Sequence, residues 1–255
     1  MKKKLKMKNV KRGMALWDLH YPEHDQRCLD IAVQFAADFQ PDVFILGGDQ
    51  MDMDCISFYN RNRPKLLEGK RLKEEYHGFQ KDVLNRFEPF LDFNCDKYFF
   101  IGNHEYRVDR YIESNPQHEG FIEVDQNLDL GGWKVIPFNE AVSIGHMNFI
   151  HGIYWNKYHS YKHVDVYEDN LFYGHVHNNQ VYTKTTPLIN LPKQGVGVGC
   201  MCNKNPSYKR GAPNSWINQF LFWYMFPDGN FTYYTPTIIG GRVVINNVLY
   251  DNGVS

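Results

Sequence analysis

Five short polar blocks, each directly after an apolar run, constrain this sequence more than any other feature. The apolar runs are Met14–Trp17, Val43–Leu46, Tyr98–Ile101, Asn148–Ile150 and Leu171–Tyr173. The polar residues that follow them are Asp18 and His20; Asp49 and Asp52; Asn103, His104 and Glu105; His151; and His175 and His177. Such runs are typical of buried strands, and open α/β sheets place their sites beyond the carboxyl ends of strands. The pattern therefore predicts one polar site built from several strand ends.

The side chains in these blocks are carboxylates, imidazoles and an amide, a donor set that suits Zn, Mn or Fe. None of the five cysteines takes part, whereas a structural zinc site more often uses thiolates. Each block alone is a weak signal, because turns and helix caps use the same residues. The most telling pair is His175 and His177, since imidazoles two residues apart share one face of an extended segment and suit chelation. Together the blocks predict a catalytic metal site.

Helical and strand-like patterns predict the fold class. Asp25 is the predicted N-cap of a helix that ends before Pro41, between two apolar strands. A second helical pattern covers Leu72 to Leu91, with apolar residues mostly four positions apart. From Gly131 onward most segments are strand-like. The order βαβαβ followed by a β-rich remainder predicts two packed sheets with helices outside.

The chain has 255 residues, of which 43% are hydrophobic, enough for one globular domain with a full core. We expect a basic tail over residues 1–12 and a single domain over residues 13–255. The net charge of -1 means that polyanion binding would need a local basic patch. The cysteines are odd in number and lack framework spacing, and no stretch approaches membrane-spanning length. We therefore expect reduced thiols, a cytoplasmic location and no membrane partner.

In their order along the chain, the five blocks resemble the calcineurin-like metallophosphoesterase superfamily, over Met14 to about Asn178. The resemblance implies an α/β fold, a four-layer α-β-β-α sandwich with two mixed sheets and a β-rich C-terminal part. It also implies two divalent metal ions, with Mn as the first expectation and Fe, Zn or Ni as alternatives. Two such cations, about 3.5–4 Å apart, need a shared carboxylate and hold a hydroxide that attacks phosphorus.

The resemblance also assigns roles by position. The first metal would be bound by Asp18, His20 and His177, the second by Asn103, His151 and His175, and both by the bridging Asp49. His104 would contact the scissile phosphate and help to protonate the leaving oxygen, while Asp52 would orient His104 and stabilise its imidazolium form. Two alternatives stay open, namely Asp52 as a turn cap and Glu105 as either a helix-start acid or an outer partner of the ligands.

Met53 stands where the phosphoprotein phosphatases of this superfamily carry an arginine, so that branch is disfavoured. The chain is also similar to phosphoesterases encoded in phage and prophage genomes, which would place it in a host cytoplasm. The residues that carry this second similarity are Arg107, Tyr111, Asn115, Pro116 and the stretch from Pro213 to Trp216.

Basic and aromatic residues near the blocks favour a polyanionic substrate. We predict Arg61, Arg107 and Tyr154 as substrate-binding residues, with solvated surface charge and core packing as the alternatives. A further loop combines charge with an aromatic ring through Lys204, Tyr208, Lys209 and Arg210. The predicted substrate is a phosphodiester of nucleic acid or of a nucleotide. The alternatives are a phosphomonoesterase and a metal-binding, non-catalytic subunit of a nucleic-acid complex.

One long segment and one pair of histidines each have two possible interpretations. The long segment over residues 54–97 would form either a wall of the substrate site or the contact of a homodimer. His159 and His163 lie one helical turn apart. They would be either a second pair of metal ligands or ordinary histidines on a helix face.

Overall fold

Two β-sheets packed face to face form the centre of the computed structural model, which describes residues 9–187, 191–206, 209 and 211–252. The strands are β1 (Lys11–Leu16), β2 (Val43–Leu46), β3 (Asp96–Phe100), β4 (Trp133–Ile136), β5 (Val142–Ile144), β6 (Met147–Phe149), β7 (Leu171–Tyr173), β8 (Gln180–Lys184), β9 (Lys193–Gly197), β10 (Leu221–Met225), β11 (Phe231–Tyr234), β12 (Arg242–Ile245) and β13 (Val248–Asp251).

The first sheet has the order β11-β10-β1-β2-β3-β4. Strands β1 to β4 run parallel, and β10 and β11 add an antiparallel edge. The second sheet has the order β5-β6-β7-β9-β8, with three parallel strands between two antiparallel edge strands. Strands β12 and β13 form a separate hairpin. Both large sheets are mixed, which confirms the predicted fold class.

Alternate side chains of β1 serve two different cores. Met14 and Leu16 pack in the cluster that contains the helices, whereas Ala15 and the following Trp17 belong to the cluster between the sheets. There the Trp17 ring stacks on Phe149 of the second sheet, with 6.5 Å between ring centroids. Because both faces of the strand are covered, its sequence is a continuous apolar run instead of an alternating one.

Helices complete the outer layers. They are α1 (Gln26–Phe39), α2 (Pro64–Leu67), α3 (Leu72–Phe79), α4 (Asn85–Phe87), α5 (Arg107–Ser114), α6 (Val124–Asn127) and α7 (His159–Tyr167). The predicted N-cap of α1 is confirmed, because the Asp25 side chain accepts a hydrogen bond from the Arg27 N–H. On the far side, Tyr167 of α7 packs against Leu171 and Tyr173, so that α7 covers the outer face of the second sheet.

The helix predicted over residues 72–91 is continuous but not regular. Between α3 and α4 the chain forms a π-helical turn, Gln80–Leu84. The buried residues Phe79, Val83, Phe87 and Leu91 are each four positions apart. An α-helix has 3.6 residues per turn, so this spacing drifts around the helix, and a wider π turn brings the side chains back toward the core. This half of segment 54–97 is therefore a core element, and a homodimer contact stays a prediction.

Two strands and one boundary differ from the sequence prediction. Strand β9 was missed because Lys193–Gly197 contains two glycines and no apolar run; pairing with β7 and β8 on either side makes it a strand. Strand β13 was also missed. Strand β1 begins at Lys11, inside the predicted basic tail, because Arg12 pairs with Tyr224 and its guanidinium binds Asp42. Residues 1–8 of that tail lie outside the described residues.

Among the residues that the structure describes, no helix combines the length and the apolar character needed to cross a membrane.

Candidate metal centre

The loops after β1, β2, β3, β6 and β7 meet at one edge of the two sheets. They bring together all seven side chains predicted as metal ligands. Donor atoms of Asp18, His20 and His177, and of Asp49, His151 and His175, lie within 4.8 Å of one another in each group. Asn103 joins the second group, since its Oδ1 lies 3.1 Å from His151 Nε2.

Three donor atoms converge at the first predicted metal position. His20 Nε2 lies 3.1 Å from His177 Nε2, and Asp18 Oδ1 lies 3.4 Å from the same His177 atom. Outer partners orient the rings: His20 Nδ1 donates to Asp52 Oδ1 at 2.9 Å, and Cys202 Sγ lies 3.8 Å from His177 Nδ1. With the Nδ1 atoms directed outward, both Nε2 atoms face the Asp18 oxygen, at 3.9 Å for His20 and 3.4 Å for His177.

The second position is built in the same way. His151 Nε2 lies 3.3 Å from Asp49 Oδ2 and 3.1 Å from Asn103 Oδ1. His151 Nδ1 donates to the Gly47 carbonyl oxygen at 3.2 Å, which directs Nε2 toward the Asp49 and Asn103 oxygens. The His175 ring stands 5.2 Å from the His151 ring, and its Nδ1 is buried without a hydrogen-bond partner among the described residues.

Asp49 lies between the two positions. Its Oδ1 accepts a hydrogen bond from the His104 N–H at 2.8 Å, which directs Oδ2 toward both sets of ligands. Oδ2 lies 3.9 Å from His20 Nε2 and 3.3 Å from His151 Nε2. A carboxylate shared by two neighbouring cations needs this placement.

Acceptors that face one another mark both positions as fit for cations. Asp18 Oδ1 is fully buried and has no hydrogen-bond partner within the described part of the chain. A buried carboxylate oxygen that faces nitrogen lone pairs is unfavourable unless a proton or a metal ion lies between them. The carboxylate, imidazole and amide donors suit Zn, Mn or Fe, so the residues present fit two divalent cations.

Two histidines of the site, His20 and His151, reflect the same need for positive charge in their raised pKa values, whereas burial lowers the pKa of His175 and His177. Burial alone would lower the pKa of His20, but the surrounding carboxylates, with Asp52 first, raise it to about 10. Burial is likewise outweighed at His151, whose pKa Asp49 raises to about 9. In the absence of cations, protons on these two rings balance the carboxylates, and binding of a metal ion displaces such protons.

The backbone turns sharply at the predicted ligands. Left-handed φ values occur at Asp18 (53°), His20 (54°), Asp49 (52°), His175 (67°) and His177 (62°). Such a conformation costs about 1–2 kcal/mol for each residue with a Cβ. Hydrogen bonds hold it in place, since the His20 N–H donates to Asp49 O at 3.0 Å and the His175 N–H donates to Asp18 Oδ2 at 2.7 Å. Gly48 has a φ of 100°, and a Cβ there would lie 2.6 Å from His151 Nδ1.

The geometry predicted for the last block is wrong. His175 and His177 were expected to share one face of an extended segment, but both have a left-handed backbone. His177 faces Asp18 and His20, whereas His175 groups with Asp49 and His151. The two rings therefore lie at different positions, to which the resemblance also assigns them, and a sharp turn carries them instead of a strand.

Glu105 is an outer partner of the ligands, not merely a helix-start acid. The side chain is completely buried, and its two oxygens accept four backbone hydrogen bonds. These come from the N–H groups of Asp49 (3.0 Å), Gln50 (2.7 Å), Met51 (2.9 Å) and Gly102 (2.9 Å). One carboxylate thus ties the loop after β2 to the loop after β3, and with them Asp49 to Asn103.

Asp52 holds two histidines at once. Its Oδ1 accepts from His20 Nδ1 at 2.9 Å and lies 3.4 Å from His104 Nδ1. His104 Nδ1 also lies 3.0 Å from the backbone oxygen of Asp52. The residue therefore orients the predicted ligand His20 as well as the predicted acid, which is more than a turn cap would do. Arg107 completes the group, with one guanidinium nitrogen 3.0 Å from His104 Nε2 and another on the Asp52 backbone oxygen.

The structure separates the other predicted substrate residues. Arg61 lies on the same side of the site as Arg107, and both line one cavity. The Tyr154 ring lies instead against His163 of α7, 5.0 Å between centroids, and is not among the described residues that line that cavity. Of the predicted basic loop, Tyr208 and Arg210 lie outside the described residues.

His159 and His163 are ordinary histidines of a helix that packs on the second sheet. His159 is hydrogen-bonded to Tyr173 Oη at 2.6 Å and to Asn178 Oδ1 at 2.9 Å. His163 Nδ1 donates to His159 O at 2.8 Å, and its Nε2 accepts from the Ile153 N–H at 3.2 Å. All four ring nitrogens are engaged, which removes the interpretation as a second metal pair.

Sequence reasoning missed three supports of the centre. Trp17 Nε1 donates to the Ile150 carbonyl oxygen at 3.0 Å and so ties the sheets together next to the site. Trp216 packs edge-on against the His177 ring, 4.3 Å between centroids. Cys202 lies behind the same ring. Each residue acts across more than a dozen positions of sequence, so no local pattern marks it.

No family model and no curated protein matches the sequence. Among solved structures, a single mutant of Vps29 from Entamoeba histolytica aligns with 94% of this chain and 99% of its own, at 12% identity and a TM-score of 0.49. Vacuolar protein sorting 29 from Cryptosporidium parvum aligns with 96% of this chain and 100% of its own, at 13% identity and a TM-score of 0.47.

A predicted phosphoesterase from Streptococcus pneumoniae aligns with 89% of this chain and 98% of its own, at 10% identity and a TM-score of 0.34. Values this low assign no function. The roles of residues in this chain rest on its own side chains.

Replacement of Glu105 by Gln is expected to destabilise the fold by about 2–4 kcal/mol. The reason is that an amide NH₂ would face backbone N–H groups whose hydrogen bonds the carboxylate oxygen now accepts. Urea unfolding in EDTA measures the change, and Glu119→Gln, an exposed acid, is the matched control. A difference below about 0.5 kcal/mol between the two variants would show that the four hydrogen bonds are not needed.

Glu75 lies beneath the turn after Asp52, where its Oε1 accepts from the Met53 N–H at 2.7 Å. Burial raises its pKa from 4.5 to about 8, against the effect of that hydrogen bond. Because the folded pKa is the higher one, the stability contributed by the protonated form is complete below pH 4.5 and is lost as the pH rises through 8.

Glu75→Gln keeps the acceptor and removes the titration. We expect this variant to exceed the wild type in unfolding free energy by more than about 2 kcal/mol above pH 8, with the difference shrinking toward pH 4.5. Urea unfolding at several pH values in EDTA tests this. A difference that does not change with pH would mean that Glu75 stays ionised in the folded protein.

Proposed function

We propose that this protein is a metal-dependent phosphoesterase of the calcineurin-like class. Its proposed reaction is the hydrolysis of phosphodiester bonds in nucleic acid or nucleotides, with two divalent cations. One observation supports this proposal most strongly. Two clusters of side chains suited to metal binding meet at Asp49, and hydrogen bonds to Asp49 and Asp52 hold His104 beside them.

The chain's own residues divide the work. Divalent cations at this centre would supply Lewis acidity toward phosphoryl oxygens and activate water. Asp49 keeps the two sets of ligands at a fixed separation, and Glu105 keeps the Asp49 loop in place. His104 Nε2 faces Arg107 at 3.0 Å. A phosphate that draws the guanidinium to itself would free this nitrogen to hold the proton for the leaving oxygen.

The position of Met53 supports the exclusion of the phosphoprotein phosphatase pattern. Its side chain is fully buried in the cluster on the helical side of the first sheet, and does not face the metal centre. Methionine thus stands where that branch carries its arginine phosphate clamp, and the Arg107 guanidinium lies 3.0 Å from His104 Nε2. The finer resemblance, to phage and prophage phosphoesterases, rests on sequence alone.

Substrate choice is tested with two chromogenic esters. Protein loaded with Mn is expected to hydrolyse bis(p-nitrophenyl) phosphate faster than p-nitrophenyl phosphate, because a diester matches the proposed reaction. The reverse preference would establish a phosphomonoesterase. Turnover of neither ester, nor of DNA, with both metal positions filled would establish a non-catalytic metal-binding protein.

His104→Ala is expected to keep both metal ions and to lose about 10²–10⁴-fold in kcat on diesters with poor leaving groups, with a smaller loss on p-nitrophenolate esters. The reason is that only a poor leaving group needs a proton as it departs. Metal analysis and the two rates provide the measurement, with His77→Ala, an exposed histidine of α3, as the control. Loss of a metal ion from His104→Ala would instead identify His104 as a ligand.

A further inference from the structure

A cavity of about 430 Å³ lies beside the candidate metal centre. It is formed by the segment over residues 55–61 and by α5 with the turn after it. A second cavity of about 250 Å³ has Asp52 and His104 in its wall. Three residues line both cavities, namely Ser57, Tyr59 and Arg107. The two cavities are therefore neighbours, and the smaller one lies between His104 and the larger one.

The larger cavity is positively charged. Arg61, Arg107 and Arg110 line it together with one acid, Glu113. Arg107 is already engaged by Asp54 and by His104. No ion pair within the described part of the chain involves Arg61 or Arg110, so two guanidinium groups in one cavity keep their charge for an anion. Arginine binds phosphate oxygens in a planar, bidentate manner, which makes a phosphate the fitting anion.

Aromatic rings stand at the same cavity without a core to bury them. Phe58 is 58% exposed and Tyr59 is 74% exposed, although both line the cavity. The Arg61 guanidinium lies 3.9 Å from the centroid of the Phe58 ring. Exposed rings next to unpaired arginines are the combination that binds single-stranded nucleic acid, where bases stack on rings and phosphates contact the cations.

We propose that this cavity binds one unpaired nucleotide of a single-stranded nucleic acid, whose neighbouring phosphodiester then lies at the metal centre. The assignment rests on the proposed phosphodiesterase function. The base stacks on Tyr59, because the Phe58 ring stands at 86° to it and already carries the Arg61 guanidinium, and the phosphate of the bound nucleotide contacts Arg110 and Arg61. The volume lies in the range of small-ligand sites, which admits one nucleotide and excludes stacked base pairs.

Arg107 connects this subsite to the chemistry. It lines both cavities and lies 3.0 Å from His104 Nε2, so a nucleotide in the larger cavity continues directly toward the predicted acid. The leaving group is therefore the part of the substrate that the cavity holds. Single strands are preferred over duplexes because a paired base would have to leave its stack before it could enter.

Binding is measured by fluorescence anisotropy of a labelled hexathymidylate in EDTA, which prevents cleavage. Arg110→Ala is expected to weaken binding at least tenfold and to reduce the slope of log Kd against log salt by about 0.7, as for one lost phosphate contact. Tyr59→Ala is expected to weaken binding about 5- to 100-fold with an unchanged salt slope, because it removes stacking alone.

Lys73→Ala is the control, since it removes one exposed positive charge on α3, away from the cavity, and is expected to bind like the wild type. Thermal midpoints of all variants show that they are folded. Equal affinity of Arg110→Ala, Tyr59→Ala and Lys73→Ala would overturn the proposal. A blunt duplex that binds as tightly as the single strand would also overturn it.

Hydrolysis of bis(p-nitrophenyl) phosphate by the wild type separates this inference from the proposed function. Turnover of that ester with no effect of Arg110→Ala or Tyr59→Ala on binding would overturn the subsite and leave the phosphodiesterase. Absence of turnover with cavity-dependent binding of the single strand would overturn the phosphodiesterase and support the nucleotide subsite.

Discussion

Buried negative charge is the constraint on which the rest of this structure depends. Asp18 and Asp49 are almost completely removed from water; one oxygen of each accepts a backbone hydrogen bond, and the other faces imidazole nitrogens. Such an arrangement is unfavourable in a protein interior unless cations compensate it. The raised pKa values of His20 and His151 express that need as protons. Two divalent metal ions would meet the same need with fixed positions.

The scaffold holds this unfavourable cluster by rigid supports outside it. Two sheets packed face to face bring loops from both onto one edge, and the hydrogen bond from Trp17 to Ile150 O joins the sheets there. Glu105 draws four backbone N–H groups of two loops onto one carboxylate. Left-handed backbone at five predicted ligands is the local cost of this convergence. The predicted ligands thus destabilise the fold locally, and the hydrogen bonds of the surrounding residues offset that cost.

Much of the fold follows from patterns that a strand or helix imposes on its own sequence. Apolar runs predicted β1, β2 and β7, and Asp25 predicted the start of α1, because burial and capping act on neighbouring residues. Strand β9 escaped prediction, since its two glycines carry no pattern and partners on both sides create it. The π turn within the long helix is accompanied by a repeated spacing of four between apolar residues. That spacing alone did not predict the π turn, because the turn depends on how the helix packs against the core.

For the site, the sequence by itself determined which side chains carry metal-binding chemistry and that they stand at strand ends, because ligand type and apolar runs are local properties. Only the tertiary structure decided the geometry in which they meet. It placed His175 and His177 on a sharp turn instead of a strand, divided Asp52 between His20 and His104, and set Arg61 and Arg110 at one cavity. These contacts join residues that are far apart in the chain and that turns and packing bring together. A local sequence pattern therefore does not predict them.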